Sequence, residues 1–292
     1  MYPALSIITP LYNRETEIQN VFNSLVNQSC HNFEWIVIDD GSSDNSYKIV
    51  EKMKTDLFCI KLFHKNNGGK HTALNYSYQH LCGKYCVILD SDDYLLPGAV
   101  STIIDEWEKY ESNNTVACIS FCRGVDEFSP FNIALDTDRP IHPFQTKLKQ
   151  VISSDRFESF KTEILINYKF PEFEGEKFIA ESSVWDRLGH DYNYVFINKV
   201  LYIGEYLNTG LTKNIRYLRM ANPRGSLYVS NYRMSSFYSL KTRLKNAILY
   251  VCFAREVDGN YHAFSKCNSK ILYLLCYFPG LILHYKCKKY KR

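Results

Sequence analysis

Two hydrophobic periods alternate along the N-terminal part of the chain. Leu5 to Thr9 is a short apolar run of strand character, and beyond Asn13 the residues Ile18, Val21, Phe22, Leu25 and Val26 fall at i, i+3, i+4, i+7 and i+8, one face of a helix. Trp35 to Ile38 is a second buried-strand run. It is followed by Asp39-Asp40-Gly41-Ser42-Ser43-Asp44, whose Ser and Asp side chains suit the start of a helix carrying Ile49, Val50 and Met53. Cys59 to Phe63 predicts a third strand, Thr72 to Leu81 a helix with Ala73, Leu74, Tyr78 and Leu81 inward, and Tyr85 to Leu89 a fourth strand. After Pro97, Val100, Ile103, Ile104 and Trp107 share a helical face, and Thr115 to Phe121 predicts another strand.

Short apolar runs alternating with helical segments predict an α/β fold. A mostly parallel, Rossmann-like sheet with helices on both faces accounts for the order, because parallel strands need crossover connections. Ligands of such sheets sit beyond the carboxyl ends of the strands, where the polar clusters of this chain also fall. From the end of that last strand to about Phe178 the periodicity weakens and Pro130, Pro140, Pro143 and Pro171 intervene. Loops shaping an acceptor side are expected there.

Composition changes this picture little. With 292 residues, 46% of them hydrophobic and 23% charged, the chain has material for a full core and an appendage and is neither disordered nor repetitive. Met1 to Pro10 lacks the basic start and small-residue cleavage site of a secretory signal, which places the expected location in the cytosol. Its ten cysteines are scattered without a CxxC, and Cys86, Cys118, Cys252 and Cys276 sit in apolar runs, so they read as reduced thiols.

Charge is unevenly spread. Residues up to Thr212 hold 19 Lys+Arg against 29 Asp+Glu, whereas Lys213 to Arg292 hold 16 against only Glu256 and Asp258. Within that basic part, Ile271 to Tyr285 is a 15-residue, largely apolar run interrupted by Pro279-Gly280 and followed by Lys286, Lys288, Lys289, Lys291 and Arg292. A membrane span needs about 20 apolar residues. Together with the basic and aromatic stretch from Arg216 to Lys245, the run fits a segment lying on an anionic membrane surface, a peripheral attachment. A core-packing C-terminal helix with a solvated basic end is the plainer alternative. No nucleic-acid-binding motif accompanies the charge, so nucleic acid is not an expected partner.

Four polar clusters stand at strand ends: Thr9-Pro10-Leu11-Tyr12-Asn13, Asp39-Asp40-Gly41, Asn67-Gly68-Gly69-Lys70 and Asp90-Ser91-Asp92-Asp93. The last puts three carboxylates within four residues at the end of a buried strand, where repulsion and desolvation are costly without a cation. Mg or Mn would relieve both, since hard ions take oxygen ligands and keep positions open for phosphate. Alone, the cluster could equally be a solvated turn capping the next helix. Gly68-Gly69-Lys70-His71 precedes a helix and could bring backbone N–H groups and Lys70 towards an anion, yet its spacing is not that of GxxxxGK[ST] and His71 replaces the Ser/Thr.

Together the clusters resemble the inverting family 2 glycosyltransferases of GT-A fold, over Leu5 to about Asn214. The resemblance implies that Asp92 of a DxD-type motif is the first metal ligand, with Asp90 towards the donor ribose and as a second ligand, Ser91 beside them and Asp93 as support. Pro10, Leu11, Tyr12 and Arg14 would line the donor pocket with Gly69 and Lys70. Asp40 would accept a hydrogen bond from the uracil ring N–H of a UDP-sugar, leaving Asp39 a structural part. For either aspartate, capping a helix is the bland reading.

A direct displacement also needs a base for the acceptor hydroxyl. Glu176 to Trp185 resembles the family segment that carries it, with Glu181 as the match; Ser182 stands where an Asp often follows, and Asp186 and Asp191 are fallbacks. Lys199 to Asn214, with Tyr202, Glu205, Tyr206 and Thr212-Lys213-Asn214, resembles the segment that closes over the donor phosphates. The implied organisation is a catalytic domain over 1–214, with a nucleotide-sugar half (1–110) and an acceptor half (111–214), and a basic helical extension over 215–292. The implied acceptor is a glycan or polyprenyl-linked glycan of bacterial cell-surface polysaccharide assembly. Two rivals stand: a sugar-nucleotidyltransferase, whose glycine- and basic-rich N-terminal loop is replaced here by Tyr12-Asn13-Arg14-Glu15, and an inactive nucleotide- or glycan-binding relative, against which Asp90, Asp92 and Glu181 argue.

Overall fold

The computed structural model describes residues 2–134, 138–144, 155–204, 215–257 and 260–288. The chain begins β1 (Leu5–Leu11), α1 (Ile18–Val26), β2 (Phe33–Asp39), α2 (Ser46–Lys52), β3 (Cys59–His64), α3 (Lys70–Ser77), β4 (Tyr85–Ile88), β5 (Tyr94–Leu95) and α4 (Ala99–Glu108). It continues β6 (Val116–Gly124), β7 (Pro140–Ile141), β8 (Arg156–Lys161), α5 (Thr162–Leu165), α6 (Ser182–Asp191) and β9 (Asn193–Ile203). Six helices close the described chain: α7 (Ile215–Ala221), α8 (Pro223–Tyr232), α9 (Leu240–Val257), α10 (Asn260–Lys266), α11 (Lys270–Leu275) and α12 (Tyr277–Lys288).

Among the described residues the sheet runs β3-β2-β1-β4-β8-β6-β9-β5, with β7 on β9. β1 is parallel to β2 and β4, β2 to β3, and β6 to β9. β1 and β2 are buried along their whole length, as strands covered on both faces must be. The register sets Leu11 against Asp39, Asp39 against His64, and Ile8 against Ile88. The loops after β1, β2, β3 and β4 therefore emerge along one edge, which gathers the polar clusters.

The helical faces fall where the spacing predicts. Ile18, Val21 and Leu25 of α1 and Val100, Ile103 and Trp107 of α4 are buried in one core with Trp35, Val37 and Val87. Burying each such side chain is worth about 1.5–3 kcal/mol. Trp107 stacks on Tyr85 with ring centroids 4.7 Å apart.

Two stretches differ from expectation. The helix expected over Thr72 to Leu81 starts at Lys70 and gives way to a 3-10 turn at Tyr78–His80. Gly69, at φ 93°, turns the chain abruptly, and its carbonyl accepts from the N–H of Thr72 and Ala73, so the first turn winds from there. The second is β8, in a region read as loops, which lies antiparallel between β4 and β6. Its buried Arg156 donates to Ser120 Oγ (2.9 Å) and to the carbonyls of Ser120 and Ile197 (2.8 Å each), so a charged residue serves inside the sheet.

Contacts divide the chain into two compact units, Met1–Lys169 with Val184–Glu205, and Phe170–Ser183 with Tyr206–Arg292. The first holds the sheet. The second has its own core, in which Ala247, Tyr250, Val251 and Ala254 of α9 pack with Met234, Ala263, Leu272 and Tyr273. The ten cysteines are free thiols. Among the described residues no helix is long and apolar enough to cross a membrane.

Candidate active site

Beyond β4 the chain passes through Leu89 and turns at Asp90-Ser91-Asp92-Asp93. Asp90 Oδ1 lies 2.5 Å from Lys70 Nζ, and Asp92 Oδ2 lies 3.3 Å from both Nε and Nη2 of Arg14. These two carboxylates are about a quarter exposed, at 27% and 24%, and so open to a ligand. Burial acts to raise the pKa of Asp90, but Lys70, with Arg123 and Arg14 behind it, holds it below the ordinary carboxylate value. Ser91 is buried between them.

Asp93 is different: it is buried, takes a hydrogen bond from Tyr202 Oη (2.6 Å) and pairs with Arg123 (2.9 Å). Burial, then the neighbouring charge of Asp90, pushes its pKa up to about 7 against the pull of Arg123. Tyr202 also accepts the Asp90 N–H at 3.2 Å, and Arg123 lies over the Tyr202 ring and pairs with Asp155 at 2.8 Å. Asp93, Tyr202 and Arg123 thus form a brace under the partly exposed pair.

Asp40 is buried and engaged. Its Oδ1 accepts from Lys65 Nζ (2.7 Å) and Gly68 N–H (2.9 Å), its Oδ2 from Gly69 N–H (2.7 Å) and Asn67 Nδ2 (3.2 Å). Four donors occupy what two carboxylate oxygens can accept. The geometry makes Asp40 the anchor of the 65–69 loop, whose end carries Lys70 to Asp90. Asp39 accepts from the Ser42 N–H (3.3 Å) and stands 2.7 Å from His64 Nδ1. Arg14 is held by its own backbone, whose N–H donates to Ser46 Oγ at 2.7 Å.

Of the residues expected to line the donor pocket, Tyr12 is exposed at the edge and Pro10 is buried in β1. Leu11 is the last residue of β1. Its side chain is fully buried in the core with Leu5 and Ile7, and its carbonyl accepts the Asp40 N–H. Arg14, Lys70, Asp90 and Asp92 do come together. Glu181 belongs to the second unit, one residue before α6 and half-buried. There Glu176 accepts from the N–H groups of Arg224 and Gly225 at the start of α8, and Asn222 Oδ1 accepts from those of Lys177 and Phe178. Asp186 is buried, and Asp191 accepts from Tyr168 Oη at 2.6 Å. Glu205, Tyr206, Thr212, Lys213 and Asn214 lie outside the described residues, as do Lys289, Lys291 and Arg292.

Lys65 and Arg123 were not legible as site residues. The available signal was a cation at the end of a strand, Lys65 directly after β3 and Arg123 next to last in β6, in a chain rich in strand-end carboxylates.

The donor set can be weighed for a metal. Among the described residues no group of three or more His, Cys, Asp or Glu could hold an ion by itself. Asp92 and Asp90 supply hard oxygens on the exposed edge, beside two cations suited to phosphate. That set fits Mg or Mn whose shell a diphosphate completes, and it does not fit a closed structural site.

Comparison with known proteins gives the family and the fold. A family model, glycosyl transferase family 2, matches residues 6–168. The chain is 28% identical over 295 residues to the GalNAc(5)-diNAcBac-PP-undecaprenol beta-1,3-glucosyltransferase of Campylobacter jejuni, covering 96% of this chain and 92% of that protein. Residues 1–349 of S. aureus TarS in complex with UDP-GlcNAc superpose with TM-score 0.56 at 17% identity, covering 98% of this chain and 90% of that one. Of the longer TarS chain this protein spans 55%. A mannosyltransferase of Pyrobaculum calidifontis in complex with GDP-Man and Mn2+ superposes with TM-score 0.55 at 16% identity, covering 100% of this chain and 84% of that one. At such identities the likeness shows the fold, an α/β architecture of GT-A type.

Proposed function

Since the chain belongs to glycosyl transferase family 2, we propose that it moves a sugar from a UDP-sugar to a hydroxyl of a glycan or polyprenyl-linked glycan, with inversion. The observation that carries this reading is the pair of partly exposed carboxylates, Asp90 and Asp92, each faced by a cation, Lys70 and Arg14. Those cations would meet the negative charge of the donor diphosphate, and Asp92, with Asp90, would hold Mg or Mn. When bound, the ion supplies a Lewis acid that stabilises the departing diphosphate. Tyr12 and Pro10 would border the base, and Asp40 would keep Lys70 in place through the 65–69 loop.

Glu181 would accept the proton of the acceptor hydroxyl as the new glycosidic bond forms and the bond to the diphosphate breaks. A single displacement of this kind inverts the anomeric centre. The undecaprenol in the name of the Campylobacter relative supports a lipid-linked acceptor, and with it a peripheral position on the inner face of a bacterial membrane. TarS with UDP-GlcNAc supports UDP as carrier, while the GDP-Man complex keeps GDP worth measuring.

The test is calorimetry of the purified chain with UDP, GDP and a set of UDP-sugars, first with Mn and then with a chelator. Metal-dependent binding of UDP is expected, with one sugar preferred. Absence of nucleotide binding under both conditions would overturn the donor assignment.

A further inference from the structure

The last two described helices carry apolar residues on opposite faces. Tyr273, Cys276, Gly280 and His284 are buried and recur every three or four residues, with Leu272 buried beside them, which makes an inner face. A Cβ on Gly280 would fall 2.5 Å from Val251 Cβ, so α12 approaches α9 closely there and only glycine permits it. The outward face holds Ile271, Leu274, Leu275, Phe278, Ile282 and Tyr285, each between 58% and 73% exposed. Single exposed apolar side chains are ordinary, but a continuous row of large ones marks a surface that is covered in use.

Charge identifies what covers it. Lys266 and Lys270 stand exposed at one end of the row, Lys286 and Lys288 at the other. From residue 260 to 292 the chain has seven Lys and Arg and no Asp or Glu. A second copy meeting this face about a two-fold axis would set cations against cations. An anionic bilayer instead offers hydrocarbon to the middle of the row and phosphates to its ends, with Phe278 and Tyr285 at the level where aromatic rings settle.

We infer that the outward face of α11 and α12 is a docking surface for an anionic lipid bilayer. Ile271, Leu274, Leu275, Phe278, Ile282 and Tyr285 enter the boundary between headgroups and acyl chains, and the four lysines meet lipid phosphates. The helices lie in the surface. This deepens the peripheral position proposed above and rests on that reading only for which membrane is met, since docking itself needs no donor.

Co-sedimentation of the full chain with phosphatidylcholine vesicles, with and without phosphatidylglycerol, tests it. The chain is expected to sediment with the anionic vesicles and to be released by salt. Phe278→Ser combined with Ile282→Ser lowers partitioning roughly tenfold or more, and Lys286→Gln with Lys288→Gln lowers it on anionic vesicles by a similar factor. All four positions are exposed, so circular dichroism and UDP calorimetry should match the parent chain. Equal sedimentation of parent and Phe278→Ser/Ile282→Ser chains, or none by the parent, overturns the inference. So does a concentration-dependent dimer that only the apolar variant loses, without vesicle binding. UDP binding that persists while vesicle binding fails confines the failure to the docking surface and leaves the glycosyl-transfer reading standing.

Discussion

Asp40 separates two roles that a carboxylate after a strand can have. If it anchors the 65–69 loop, Asp40→Asn disturbs the loop, because one of its two oxygens becomes an NH2 group facing donors. Either Lys65 Nζ and Gly68 N–H, on Oδ1, or Asn67 Nδ2 and Gly69 N–H, on Oδ2, lose their acceptor. Lys65 keeps Asn66 O (2.7 Å) and Thr72 Oγ1 (2.8 Å), and Asn67 keeps Asp40 O (2.8 Å), so the loss falls on the glycine amides. A hydrogen bond to a charged group is worth about 1.5–3 kcal/mol, so local opening should become roughly 10- to 100-fold more frequent. Amide hydrogen exchange at Gly68 and Gly69 reads this directly. UDP affinity should fall with it, because Lys70 follows the loop. Unchanged exchange at both glycines, together with lost UDP binding, would refute the anchoring argument and return Asp40 to the nucleobase.

Three further outcomes are expected. Asp92→Ala should remove the Mn-dependent part of UDP binding and leave a weak, metal-independent remainder carried by Lys70 and Arg14; binding that still responds to chelator would move the metal elsewhere. Glu181→Gln should leave donor affinity intact and lower turnover by about 10²- to 10⁴-fold, the usual contribution of a general base, so full activity would eliminate it. Arg156→Leu should lower unfolding free energy by roughly 3 kcal/mol in denaturant titration, since the carbonyls of Ser120 and Ile197 lose their donor inside the sheet; a change under about 0.5 kcal/mol would show that those carbonyls find other partners.

What the sequence makes legible depends on how far away a residue's partners are. The faces of α1 and α4 need only neighbours three and four positions on, and Val21, Leu25, Val100 and Ile103 are buried as their spacing requires. β8 is opaque for the opposite reason: Arg156 reads as a solvated charge until Ser120 and Ile197, 36 and 41 positions away, are brought beside it. Asp39 and Asp40 pose a subtler case. Successive residues at a strand end point to opposite faces, so adjacent identical side chains meet different surroundings, and no local pattern says which surroundings hold a ligand. Here the pleat sends Asp39 to His64 and Asp40 to Lys65, the next residue along. The same logic covers Asp90, whose backbone is steadied by Tyr202 from 112 positions away while its carboxylate stays at the exposed edge. A cluster of acids thus announces a site, but only long-range pairing divides it into the members that brace and the members left open to bind.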